Sequence, residues 1–148
     1  MGKIIAINIS GKKGVQKKEV GIAQLKVDHG IIGDAHAANW HRQVSLLDVA
    51  SVNKMLAVRS DIELPPGAFA ENILTEGMDL VNLAIGTKLQ LGLTAIGEVT
   101  QIGKECHHHC QIYQKVGDCV MPREGIFIAI KVDGEIKAGD EIQVLKNV

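Results

Sequence analysis

Apolar positions fall along the chain in short runs of Ile, Val and Leu closed by glycine, which is how a sheet of many short strands is written. The runs predict strands at residues 3–9, 20–27, 72–75, 87–91, 95–102, 125–132 and 141–145. Asp133-Gly134 accepts the positive φ angles of a type I′ turn and predicts a junction between two antiparallel strands. Ile85-Gly86-Thr87 and Ala138-Gly139-Asp140 mark similar turns before KLQLG and EIQVL. One segment has a clear helical period. Ser45, with Asp48 three residues on, can cap an N-terminus, and Leu46, Val49, Ala50, Asn53 and Leu56 follow with one apolar face, so a helix is predicted over 45–59, stopped before Pro65-Pro66. The stretch 106–116 reads equally as a short helix or an ordered loop. The predicted fold class is mainly β, an antiparallel β-barrel of about seven strands with one clear helix and short helical decoration.

Length supports a single domain over residues 1–148, because two cores would leave only about 75 residues each. Sixteen Lys and Arg against seventeen Asp and Glu leave a net charge of −1, which supplies no cationic field for nucleic acid. Lys12, Lys13, Lys17 and Lys18 read as a solvated polar turn. No apolar run approaches the roughly 18–20 residues that cross a bilayer, and the first residues do not resemble a signal sequence. A soluble cytoplasmic protein, with no membrane partner, is the expectation. Three cysteines cannot all pair within one chain, so thiol and metal chemistry stay open.

That chemistry is densest at Lys104-Glu105-Cys106-His107-His108-His109-Cys110, two thiols and three imidazoles in seven positions. Cys106 and Cys110, with His107 and His109, offer a donor set suited to zinc, although paired CxxC knuckles are absent. The competing use is a nucleophilic thiolate at Cys106, favoured by Lys104 and the imidazoles, while Cys110 also suits a small buried apolar role. Cys119, in Gly117-Asp118-Cys119-Val120-Met121-Pro122-Arg123-Glu124-Gly125, is a second candidate sulfur, and Arg123 brings a planar fork for phosphate or carboxylate. A third cluster at 33–42 combines the only Trp with Asp34, His36, His41 and Arg42 just ahead of the predicted helix, whose N-terminus favours an anion. A fourth, 67–73, opens a strand with Glu71 and Asn72.

In this order, GDAHA with HRQVSLL, GAFAENILTEGMDL, IGTKLQLG, EVTQIGKEC and PREGIFIAIKVDGEIKAGDEI resemble a MOSC domain, the family named for the C-terminal domain of molybdenum cofactor sulfurases. The resemblance runs from about Gly30 to Val144 and implies a β-rich barrel. Its characteristic cysteine carries sulfur as a persulfide or ligates molybdenum in the pterin cofactor. By its position after a VTQ strand end, that cysteine corresponds to Cys106, with Cys119 as the second candidate. The cofactor-facing positions correspond to His36, Arg42 and Asn72, and Lys104 and Arg123 complete a cationic rim. These five are expected to converge on one pocket.

Three functions follow as alternatives. The first is a molybdopterin-binding protein that carries sulfur through Cys106 or, as a sulfur transferase, passes it on. The second is a molybdenum-dependent reductase of N-hydroxylated compounds with Cys106 as metal ligand. The third is a non-enzymatic zinc-binding or interaction module. The pyridoxal-phosphate desulfurase half of the large sulfurases does not fit in this length, so a separate cysteine desulfurase or an electron-donor protein is the implied partner.

Overall fold

The computed structural model describes residues 2–13, 15–58, 64–103 and 124–145. Among them the strands β1 (Gly2–Ile9), β2 (Lys18–Val20), β3 (Ile22–Lys26), β4 (Gly30–Ile31) and β5 (Val44–Asp48) precede the helix α1 (Val49–Val58). After it come β6 (Ile73–Glu76), a 3-10 turn at Leu80–Asn82, β7 (Lys88–Leu91), β8 (Ala95–Ile102), β9 (Ile126–Val132), β10 (Gly134–Lys137) and β11 (Glu141–Leu145).

Seven strands close a barrel in the order β1-β11-β7-β8-β9-β5-β6, with β6 returning to β1. The expected mainly β barrel with one clear helix is therefore the fold. Its neighbours are antiparallel except β5 and β6, which run parallel because α1 carries the chain back between them. β2 continues the sheet at the far end of β1, and β10-β3-β4 form a small second sheet. Leu25, Ile31 and Ile136 of that sheet share one core with Ile4, Ile7, Leu46, Ile73, Leu89, Ile126 and Ile128 of the barrel. A second core lies outside the barrel wall, where Val52 and Met55 of α1 pack with Leu47, Phe69, Leu74 and Phe127. No helix among the described residues is long and apolar enough to cross a membrane.

Three local expectations are corrected. Residues 45–48 are strand, and the helix starts at Val49. All five residues of β5 are buried because the barrel core takes one face and α1 with the 67–72 turn takes the other, so VSLLD carries no in–out alternation. Asp48, not Ser45, serves the helix start: its Oδ2 accepts the Ala50 N–H, while its Oδ1 accepts Thr75 Oγ1 and the Met78 N–H. Asp133-Gly134 is a corner rather than a hairpin, since β9 pairs with β5 and β8 whereas β10 pairs with β3. A Cβ at Gly134 would stand 2.6 Å from the Ala95 nitrogen, so close passage explains the glycine. The predicted strand at 20–27 divides at Gly21 into β2 and β3, which belong to different sheets.

One irregularity of β1 positions the site. Its register with β6 slips between Ile4 and Ala6, a bulge that inserts one extra residue. Ile4 and Ile7 both face the barrel core, while Ala6 joins the outer core. Asn8 is consequently turned outward, toward Glu71 and Asn72.

Candidate functional site

A cleft outside the barrel wall is lined by His36, Arg42, Ser45, Phe69, Ala70, Asn72 and Phe127. Its floor is a cross-strand pair, Ser45 of β5 opposite Phe127 of β9. The 65–72 turn forms one wall and the 31–43 segment the other. Its volume is about 20 Å³, room for a water-sized group or one oxygen-bearing substituent of a larger ligand.

The 31–43 wall is shaped by Asp34. Its Oδ2 accepts the His36 N–H two residues on, an Asx turn, and its Oδ1 accepts the Ser10 N–H and Lys17 Nζ. Burial opposes ionisation of Asp34. The hydrogen bond and charge of Lys17, with the Ser10 N–H and the Asn72 amide, outweigh that and hold its carboxyl below the ordinary 3.8. Trp40 Nε1 donates to the His36 carbonyl at 2.8 Å, tying the end of the segment back. Arg42 Nε donates to Gln101 Oε1 at 3.0 Å, and its Cζ lies 5.5 Å from the Phe127 ring centroid and 6.0 Å from that of Trp40. The guanidinium is thus anchored by one nitrogen and stacked by two rings, and its Nη groups have no hydrogen bond among the described residues.

The other wall is a backbone cradle around Glu71. Its Oε2 accepts the Gly67 N–H at 2.6 Å and Asn8 Nδ2, and its Oε1 accepts the Phe69 N–H at 3.1 Å. Burial dominates there, and despite these donors and the charge of Lys17 it pushes the Glu71 carboxyl up to about 7. Ala70 holds φ 61, a left-handed conformation for an L residue at the lip of the cleft. Asn72 is engaged on all sides. Its Oδ1 accepts Ser45 N–H and Ser45 Oγ, and its Nδ2 donates to the Asn8 carbonyl, so it laces β1 to β5.

Three of the sequence candidates, His36, Arg42 and Asn72, line this one cleft. Lys104, Cys106, His107, His109, Cys110, Cys119 and Arg123 lie outside the described residues. Among the described residues no three His, Cys, Asp or Glu side chains are placed to hold a metal ion. The helix N-terminus does not serve the 33–42 cluster, because β5 separates Arg42 from α1 by roughly 15 Å of extended chain. The sequence groups Lys17 with solvated lysines, yet only Lys12, Lys13 and Lys18 of that group are exposed; Lys17 is buried. No signal separates it from its neighbours in the sequence. Ser45 and Phe127 were legible only as strand or helix residues.

The MOSC domain family matches residues 33–143, three quarters of the chain and both walls of the cleft. The chain belongs to the MOSC domain family. Among solved structures, this MOSC chain is similar to the YuaD protein of Bacillus subtilis, at 19% identity and a TM-score of 0.79 over 97% of this chain and 96% of that one. It is also similar to YiiM of Geobacillus stearothermophilus, at 16% identity and a TM-score of 0.74 over 99% and 76%. YiiM of Escherichia coli follows at 15% identity and a TM-score of 0.67, over 99% and 71%. At such identities these likenesses speak for the MOSC fold alone. No curated protein matches the sequence.

Proposed function

We propose that this MOSC protein binds the molybdenum cofactor with its phosphate end at the Arg42 cleft and handles sulfur through Cys106. The observation that carries the reading is the state of Arg42: fixed through Nε to Gln101, stacked on Phe127, and presenting a planar pair of donors at the cleft. Such a fork matches a phosphate or carboxylate. The donor set suits the anionic end of a pterin cofactor, and the small volume admits one oxygen of that end rather than the ring system. When bound, the cofactor would supply the molybdenum and the sulfur-bearing dithiolene.

In this reading Arg42 binds and orients the anion, Phe127 and Trp40 hold the guanidinium against rotation, and Asn72 keeps the cleft walls at fixed spacing. Cys106 supplies the thiolate, with Lys104 two positions before it in the sequence favouring ionisation. Family membership supports the cofactor class, and the identity of the sulfur residue rests on the EVTQIGKEC motif.

The deciding experiment is purification from cells that make the cofactor, with molybdenum, zinc and the fluorescent oxidised pterin measured together. Pterin with molybdenum at comparable stoichiometry supports the proposal. Stoichiometric zinc without pterin refutes it. If pterin is retained, reduction of an amidoxime by an artificial donor replaces the carrier role with the reductase role.

A further inference from the structure

A second cavity, of about 520 Å³, lies on the β1–β2 connection and shares no lining residue with the Arg42 cleft. The cofactor reading gives it no task. Its size is that of a small-molecule site, and its walls divide by chemistry. Ile9 and Val15 are half-buried and apolar, while Gly11 and Gly33 present bare backbone. Gly33 needs its glycine for φ +95, but Gly11 has no positive φ, and a Cβ there would meet nothing within 4 Å. Neither conformation nor packing within the chain calls for glycine at 11, and what its missing side chain leaves is backbone open to a ligand. Lys12 and Lys18 bring the only charges among the described residues of the lining. Both are exposed, and among the described residues neither ammonium has a hydrogen bond or an ion pair. The loop that carries them is held in advance. Ser10, at the cavity wall, donates through Oγ to the Lys12 carbonyl at 2.8 Å, accepts Lys17 Nζ at 3.2 Å and gives its N–H to Asp34 Oδ1 at 3.1 Å. The Lys17 N–H in turn reaches the Gly67 carbonyl at 2.9 Å. The buried Lys17–Asp34 ion pair thus braces the loop from behind, so little ordering remains to be done on binding.

We propose that this cavity binds a small organic anion with a planar apolar body, an aryl carboxylate, its ring against Ile9, Val15 and the Gly11 backbone and its carboxylate with Lys12 and Lys18. Two cations and no acid on the lining select a negative head group. The long lysine stems extend the apolar wall while their ammonium groups stay at its rim. A ring also accepts an ammonium over its face, which an alkyl chain does not, so the same two lysines favour an aromatic body over a fatty one. The site is independent of the cofactor reading, because the two cavities have no residue in common.

The test is an NMR titration of the isotope-labelled full chain at neutral pH with naphthoate, with its neutral amide naphthamide and with octanoate. Naphthoate is expected to shift the signals of Ile9, Val15 and Gly33 saturably and to leave those of Arg42 and Phe127 in place. Naphthamide and octanoate are each expected to bind roughly fivefold more weakly. In Lys12→Gln combined with Lys18→Gln, two exposed positions outside both cores, the gap between acid and amide is expected to close. No saturable shift at the cavity residues overturns the site. Equal affinity for acid and amide overturns the anion, and equal affinity for octanoate overturns the planar body. A gap that survives the double variant overturns the role of the lysines, and if that variant does not fold, the three wild-type titrations still decide. Shifts centred on Arg42 instead would put the anion in the cleft and overturn the separate site, whereas failure to retain pterin on purification refutes the cofactor reading and leaves this cavity standing.

Discussion

The guanidinium of Arg42 lies 5.5 Å from the centroid of Phe127, whose strand partner across the cleft floor is Ser45. A cation held over a buried ring loses little freedom on meeting an anion, because its orientation is already set. Arg42→Lys keeps the charge but removes the fork and most of the stacking. The expected result is roughly tenfold weaker retention of pterin cofactor, the equivalent of one lost charge-assisted hydrogen bond of about 1.5 kcal/mol, with little change in unfolding midpoint. Co-purified pterin per protein, with thermal unfolding alongside, checks both halves.

Glu71 makes stability fall as pH rises. Its carboxyl is raised from 4.5 to about 7, so between those values the folded protein holds a proton that the unfolded chain has released. The contribution is fully present below about 4.5 and is lost as the pH climbs through about 7. Its size is on the order of 3 kcal/mol. Asp34, lowered from 3.8, has the opposite sign: its contribution is present above that value and disappears as the medium is acidified further. Denaturant unfolding at intervals from pH 5 to 8 is expected to show the decline in wild type and a flatter curve in Glu71→Gln.

Two glycines with similar backbone angles should respond differently to alanine. Gly67 has φ +86, and a Cβ there would stand 2.2 Å from the Lys17 carbonyl oxygen. Gly139 has φ +96 and open space around it. Gly139→Ala is expected to cost about 1–2 kcal/mol, the left-handed penalty alone, and Gly67→Ala about 2–4 kcal/mol. Chemical denaturation of both variants gives the comparison. Equal losses would show that the 67–72 turn gives way to the new methyl group.

Cys106 and Cys119 each follow an acid, Glu105 and Asp118, but only Cys106 also has a lysine two positions before it and an imidazole, His107, beside it. Limiting alkylation of cofactor-free, metal-free protein is expected to label Cys106 first by site-resolved mass spectrometry. Cys106→Ser should lower molybdenum or sulfur retention more than Cys119→Ser. An inert Cys106 whose serine variant retains full loading would move the role to Cys119.

How much of this was legible depends on how many neighbours each residue has. β3 and β7 are readable from sequence because burial alternates along them. β5 is not, since both its faces are covered and its pattern is indistinguishable from the start of a buried helix. The polar density at 33–42 drew attention to His36 and Arg42. Lys17 and Asn8 carried no such mark: one sits in a run of similar lysines, the other ends an apolar strand, and each gains its partners only when β1, the 31–43 segment and the 67–72 turn come together.

The closure of the barrel also sets the order in which it can be built. Gly2 pairs with Ile142 and Lys3 with Glu141, so the seam joins the first described strand to the last. Contacts of such separation carry the largest loop-closure cost and come late in folding. Until β11 arrives, the edge of β1, with its sequence GKIIAINI, has no barrel neighbour on that side and is a template for pairing with another chain. During synthesis β1 therefore emerges long before β11, and its edge on that side stays open until the seam closes.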